Sequence, residues 1–379
     1  MKRTTVELGE VCDFLSGFAF KSELFSTEPI GLPIIRIRDV LSGSSATFYC
    51  GDHQPQYIVQ KGDILIGMDG EFNRERWKSD PALLNQRVCK AIARESLVDN
   101  GYLYHALPML LKKIEDETPF VTVKHLSVAK LKSAQIPLHP LEEQRRIAAI
   151  LDKVALLIQS AAQAFCLSQE LKKSLVHETL RLAREGDERV RIKVREVADM
   201  ITGFPFKSAQ YTDKAQHTRL CRGINVLPER IEWKQVARWP EITPELRSYQ
   251  IDEDDILIAM DRPWIADGFK IARVQPTDIP SLLVQRVARI RAGNRILPRI
   301  LFEVLSSKAF ATHCTPTETT VPHISPIEIR EYEFDLPCMK EQKRIDSILA
   351  GIEKSQAAMN QRVNLLKEKL CTLSRSYFN

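Results

Sequence analysis

Asn85, Gln86 and Arg87 stand together in Leu84-Asn85-Gln86-Arg87-Val88, and Gln285 and Arg286 return in Leu283-Val284-Gln285-Arg286-Val287. A carboxamide can donate to and accept from the edge of an adenine, and a guanidinium can donate twice to a guanine. The same residue types also tie strand edges to their turns. Phe72, Asn73, Arg74, Arg76, Trp77 and Lys78 interleave aromatic rings, an amide and cations, a mixture suited to nucleic-acid contact. Trp77 equally suits a domain core. Arg262 and Trp264 occupy the corresponding stretch further on. Arg36, Arg38 and Arg222 are expected in apolar strands; each reaches a base edge or pairs with a neighbouring carboxylate. Lys21-Ser22 and Lys207-Ser208 follow aromatic pairs, where a cation and a hydroxyl make a phosphate contact or a solvated turn. Lys124, His125 and His323 carry the same two readings. Asp69 and Asp261 end apolar runs, where a carboxylate holds a loop or a nearby Arg, or accepts from cytosine.

The chemistry that is missing narrows the function. There is no Gly-x-x-x-x-Gly-Lys loop and no Gly-x-Gly-x-x-Gly after a strand. Asp80-Pro81-Ala82-Leu83 and Asp261-Arg262-Pro263-Trp264 do not make the Asn/Asp-Pro-Pro-aromatic segment of adenine methyltransferases. The eight Cys lack Cys-x-x-Cys spacing and read as reduced thiols, with no metal site and no bound cofactor expected. Lys and Arg number 54 against 49 Asp and Glu, a net charge of +5, too even for a general nucleic-acid coat. No apolar run approaches the ~18 residues of a membrane span, and the start lacks a signal-peptide core. A cytoplasmic chain without membrane contact is expected.

These side chains need a frame, and the sequence writes one twice. Val6 to Ser22, with its Gly17-Phe18-Ala19-Phe20-Lys21-Ser22, returns as Ile192 to Ser208, with Gly203-Phe204-Pro205-Phe206-Lys207-Ser208. Asp63-Ile64-Leu65-Ile66-Gly67-Met68-Asp69 returns as Asp255-Ile256-Leu257-Ile258-Ala259-Met260-Asp261, and Thr122-Val123-Lys124-His125 as Thr320-Val321-Pro322-His323. Gly62-Asp63 reads as a turn into a buried strand; Ile34–Ile37 and Val88–Ile92 read as strands, and Leu103–Ile114 as a helix. Each copy then enters a long amphipathic helix. Ile147, Leu151, Val154, Ile158, Ala161 and Phe165 mark one seam; Ile345, Leu349, Ile352, Gln356, Met359, Val363, Leu366, Leu370 and Leu373 mark the other. Steps of four and three are those of a coiled coil. Forty residues span roughly 60 Å, and a stripe that long needs a partner. The fold class expected is mixed α/β. Two similar globular domains, 1–140 and 186–338, are separated by antiparallel helices, 141–185 and 339–379, with a pseudo-two-fold internal repeat.

In this order, twice, these motifs resemble the specificity subunit of type I restriction-modification systems. The resemblance covers essentially the whole chain: Gly-x-x-Phe-Lys-Ser, Gly-Met-Asp-Gly-Glu-Phe-Asn, Leu-Leu-Asn-Gln-Arg-Val and the Glu-Gln-x-Arg-Ile helix starts. It implies a non-catalytic chain whose two target-recognition domains each read one half of a split, asymmetric site on double-stranded DNA. The helices then act as a ruler and dock two methyltransferase subunits, which restriction subunits join. S-adenosylmethionine belongs to the methyltransferase partners. Glu143, Gln144 and Arg146, with Glu341, Gln342 and Arg344, stabilise the first helical turns or help seat that partner. Two other classes remain open: a coiled-coil scaffold that binds proteins and no DNA, and a self-sufficient DNA methyltransferase or nuclease.

Overall fold

The computed structural model describes residues 4–118, 124–182, 190–314 and 322–378. Thr122, Val123, Thr320, Val321 and the expected boundary at 185/186 lie outside the described residues. Two compact units emerge. Unit 1 is Met1–Phe165 with Met359–Asn379, and unit 2 is Cys166–Ala358. The division therefore runs through both long helices rather than at their ends.

In unit 1, Thr4–Glu7 pairs antiparallel with Gln135–Leu138, Val6 opposite Ile136. This ties the start of the chain to the segment that enters the first long helix. A four-stranded antiparallel sheet follows the order Cys12–Ser16, Val88–Ala93, Ile64–Gly67, Arg74–Arg76. Alternation along a strand sorts its side chains between two layers. Ile64, Ile66, Cys89 and Ala91 meet the helix Asn100–Glu117 through Tyr102, Leu103 and Ala106. Leu65 and Val88 meet Ile35, Trp77 and Leu84 beside the second sheet. That sheet runs Phe25–Ser26, Phe48–Tyr49, Leu32–Ile35, Ala82–Leu84, Ile58–Val59, with Ile34 parallel to Leu83. The strand expected over Ile34–Ile37 thus stops at Ile35, and Arg36 caps a 3-10 turn, Ile37–Asp39.

Unit 2 repeats the plan. Val190–Lys193 pairs with Glu333–Leu336. Its four-stranded sheet is Ala198–Thr202, Val287–Ala292, Ile256–Ala259, Ile271–Arg273. The second layer is Ala237–Trp239, Thr218–Cys221, Ser281–Leu283, Gln250–Ile251. Where unit 1 has one helix, unit 2 has two shorter ones, Pro298–Leu305 and Lys308–His313. Burial pushes the thiols of Cys12, Cys89, Cys221 and Cys314 up to about 12. They are protonated core groups.

The long helices are Leu141–Leu182 and Met339–Phe378. Within unit 1, Ile147 and Leu151 near the start of the first pack with Leu370, Leu373 and Phe378 near the end of the second. Within unit 2, Val176 near the end of the first packs with Ile345 and Leu349 near the start of the second. The pairing is antiparallel in each unit. Leu156 and Leu157 of unit 1, and Leu167 and Leu171 of unit 2, lie off the seam and are exposed. One expectation is corrected here. Within Leu141–Val176 an 18-residue window reaches a mean hydropathy of 1.4 with only 6% of it buried. By length and composition alone that helix is apolar enough to cross a membrane, a test that core helices of globular proteins pass too.

Candidate nucleic-acid interface

The two amide–guanidinium turns are built alike. In unit 1, Val88 donates its N–H to the Asn85 carbonyl (3.3 Å), closing a four-residue turn whose third residue is Arg87. In unit 2, Val287 donates to Val284 (3.2 Å) and Arg286 holds that place. Both arginines adopt a left-handed backbone, φ 70° and 68°. For a residue with a Cβ this costs about 1 kcal/mol or more, and glycine would avoid it. Retaining Arg at both places points to a use for the side chain. The chain before each turn is held by a close approach. A Cβ on Gly17 would come within 2.0 Å of the Asn85 carbonyl oxygen, and one on Gly203 within 2.2 Å of that of Val284.

A carboxylate stands beside each of these arginines, and an imidazole beside Arg87. Met68 donates its N–H to the Arg87 carbonyl (3.0 Å), and Leu126 donates to the Met68 carbonyl (2.7 Å). Met260, Arg286 and Ile324 repeat this at 2.9 and 3.0 Å. Asp69 therefore lies opposite His125, and Asp261 opposite His323, as isolated antiparallel bridges. Asp69 Oδ2 is 3.4 Å from Arg87 Nε, and Asp69 Oδ1 is 2.6 Å from His125 Nδ1. Asp261 Oδ1 is 3.5 Å from Arg286 Nη1. The Arg87 and Arg286 side chains are 56% and 64% exposed. Ion pairs this open contribute at most about 1 kcal/mol, so the carboxylate aims each guanidinium without consuming it. Gln86 and Gln285 are exposed beside them. Lys21, Ser22, Lys207 and Ser208 are exposed at the heads of 3-10 turns. Arg38, Lys78 and Arg262 are exposed too, and Arg262 has φ 45°.

Other expected contacts are corrected by burial. Phe72 is 7% exposed and Trp77 1%. Trp77 Nε1 donates to the Asp80 carbonyl (2.8 Å), so both are core. Asn85 is 6% exposed, leaving the exposed Gln86 and Arg87 as the accessible part of that turn. Arg74 donates from Nε to the Tyr104 carbonyl (2.8 Å) and lies 3.5 Å over the Tyr104 ring. Burial lowers its pKa. Arg76 pairs with Asp152 of the first long helix (3.3 Å), while His105 Nε2 sits 2.8 Å from the same carboxylate. Arg273, in the same strand register as Arg76, pairs with Glu353 of the second long helix (2.7 Å). Arg76 therefore seats the domain on its helix. Arg36 bonds Thr47 and lies 3.7 Å from Asp39. Arg222 donates to the Gln235 carbonyl (2.7 Å), and Lys124 to that of Glu115 (2.7 Å). Trp264 lies tilted against Phe269, ring centroids 5.3 Å apart, and packs against the core. These are loop ties. Arg36 and Arg222 follow their strands rather than sitting in them.

The helix starts need the same correction. Gln144 is 0% exposed and Gln342 1%. Gln144 donates to the Leu97 and His139 carbonyls and accepts from the Asp99 N–H, at 2.7–3.0 Å. Gln342 repeats this with Arg295, Pro337 and Leu297 at 2.9–3.0 Å. Neither can touch a partner. Glu143 with Arg146 (3.5 Å) and Glu341 with Arg344 (2.6 Å) form pairs along the first turns whose arginines are exposed.

Comparison with known proteins bears on this arrangement. Residues 2–164 match the family described as type I restriction modification DNA specificity domain. The chain is 45% identical over 155 residues to the type I restriction enzyme EcoBI specificity subunit of Escherichia coli, covering 41% of this chain and 33% of that protein. It is 25% identical over 340 residues to the MjaVIII specificity subunit of Methanocaldococcus jannaschii, covering 84% of this chain and 79% of that one. The match to EcoBI thus spans about a third of its length. Among solved structures, the S subunit of a type I restriction-modification system from M. genitalium superposes with a TM-score of 0.61 at 15% identity, covering 100% of this chain and 96% of that one. A chain from a structure of complex assembly in the type I system gives 0.55 at 16%, with 99% and 97% covered. Both share the fold.

Proposed function

We propose that this chain, which belongs to the specificity-subunit family of type I restriction-modification systems, is the DNA-reading subunit of such a complex. Each unit reads one half of a bipartite site. The observation that carries this is the recurrence of one frame, Asp69–Arg87–His125 and Asp261–Arg286–His323, on two similar scaffolds. An exposed Arg aimed by a carboxylate is the side chain that donates twice to guanine, and Gln86 and Gln285 supply the amide that suits adenine. The flanking loops differ, Gly70 to Lys78 against Arg262 to Lys270, so the two half-sites differ and the whole site is not palindromic.

The long helices set the half-site spacing and dock the methyltransferase subunits, to which restriction subunits add. Exposed leucines off the seam, Leu156 at 62% and Leu171 at 63%, support a protein-covered face. The chemistry, adenine methylation from S-adenosylmethionine, resides on the partner. This chain contributes selectivity, inside the cell where the DNA is.

Gel-shift titration of the full chain, alone and with its methyltransferase partner, against specific and random duplex tests the reading. Tight binding to one bipartite sequence is expected. Equal affinity for every duplex, or none for any, overturns it.

A further inference from the structure

Strand register places two residues of unlike chemistry at one position. In unit 1 the Gly67 N–H donates to the Asn73 carbonyl (2.9 Å); in unit 2 the Ala259 N–H donates to the Lys270 carbonyl (3.1 Å). Gly67 and Ala259 each stand two residues before the aspartate that aims the reading arginine. Asn73 and Lys270 are therefore equivalent, each one residue before the strand beside that frame.

Both carry polar atoms that the fold leaves unmet. Lys270 is 7% exposed. No hydrogen bond or ion pair reaches its ammonium among the described residues. Burial lowers its pKa, while Asp261 raises it and Arg262 lowers it further. Asn73 Oδ1 is buried without a partner. It lies where a Cβ on Gly67 would meet it at 2.8 Å, in the space that the Ala259 methyl fills in unit 2. The ladder at this position uses only backbone groups, so pairing requires neither side chain. The Lys270 stem is enclosed, but its Nζ is not among the fully buried unpaired side-chain atoms, as Asn73 Oδ1 is. An ammonium that burial desolvates without an acceptor is costly, and a methylene chain capped by a methyl would pack there at less cost. The missing partner is one that brings acceptors and no donor. Guanine does so with O6 and N7, whereas adenine presents one donor and one acceptor, the pattern a carboxamide complements.

We infer that Lys270 reads a guanine in the half-site of unit 2, and that Asn73, at the matching place, reads an adenine in the half-site of unit 1. The inference rests on the DNA-reading function proposed above.

The test is selection of bound duplexes from a randomised pool by the full chain with its methyltransferase partner, followed by sequencing. The wild type enriches a bipartite site. Lys270→Met is expected to lose roughly ten- to hundredfold of the preference for G at one base pair. The rest of that half-site and the whole of the other half-site persist. Lys270→Arg retains the preference, and Asn73→Ala relaxes one A·T pair in the other half-site. A uniform loss over all sequences makes Lys270 a phosphate contact and overturns the inference. Unchanged preference at every pair, or relaxation at a pair that is not G·C, overturns it equally. Should Lys270→Met melt too early by circular dichroism, Lys270→Gln takes its place with the same outcomes. If the wild type enriches no sequence at all, the DNA-reading function itself fails.

Discussion

At the scale of single residues, exposure and aim single out Arg87 and Arg286, while bonds to the fold mark the scaffold. Arg87 and Arg286 combine a left-handed backbone with exposure and a carboxylate neighbour. Alanine at either is expected to cost about 1–3 kcal/mol of discrimination at one base pair of one half-site, measured by competition binding with single-pair variants. Lys21→Ala should instead weaken all duplexes alike and shallow the salt dependence by roughly one phosphate contact. Gln144 belongs to the scaffold. Its replacement by Ala strands two carbonyls and one N–H, a loss of roughly 2–3 kcal/mol visible in denaturant unfolding, with half-site preference unchanged. His105 is buried against Asp152, and burial, the larger influence, lowers its pKa from the ordinary 6.5. The unfolded chain then binds the proton more readily than the folded one. Stability is therefore present above the ordinary imidazole pKa and declines as pH falls below it. Thermal melts from pH 7.5 to 5.5 should show that decline, and His105→Gln should flatten it.

Among the elements, the long helices behave as the apolar steps of four and three require. Ile147, Leu151, Ile345, Leu349 and Val363 are buried. The other expected seam positions are at least partly covered, and Gln356 Nε2 is buried without a partner. The two domains grip these helices with different polar clamps. Unit 1 uses Arg76 and His105 on Asp152. Unit 2 uses Lys172 with Glu303 (2.6 Å) and Glu353 (3.6 Å), and Arg273 and Arg299 on Glu353 (2.7 and 3.1 Å). Removing one charge from so enclosed a cluster strands the others. One heptad inserted into both helices, near Phe165 and near Ala358, lengthens each by about 10 Å. DNA rises about 3.4 Å per base pair, so the tolerated spacing between half-sites should grow by roughly three base pairs. Methylation mapping in cells reads this directly; altered half-sites at the old spacing refute the ruler.

For the molecule as a whole, duplication explains both the likeness of its two units and where they differ. Two copies of one scaffold give two equivalent turns, and divergence is concentrated where the scaffold does not constrain it. A net charge of +5 leaves binding dependent on where cations sit rather than on how many there are. The apolar stretch of the first long helix is where the proposed methyltransferase cover is tested. Leu156→Ser with Leu171→Ser should weaken methyltransferase-subunit capture in pull-down while leaving the fold, read by circular dichroism, unchanged.

By itself the sequence determined the duplication, the strands around Ile64–Gly67 and Val88–Ala93, and both long helices within a few residues, because periodicity and turn residues act locally. It also marked Arg87, Arg286 and the aspartates as a recurring set. Only the tertiary structure decided which polar residues face outward. Gln144, Gln342, Arg74, Arg76 and Trp77 carry side chains suited to recognition, yet neighbours distant in sequence enclose or engage them. Lys270 went unread for the converse reason. Its significance lies in its register with Asn73 and in its burial, and both arise from strand pairing that no local pattern records.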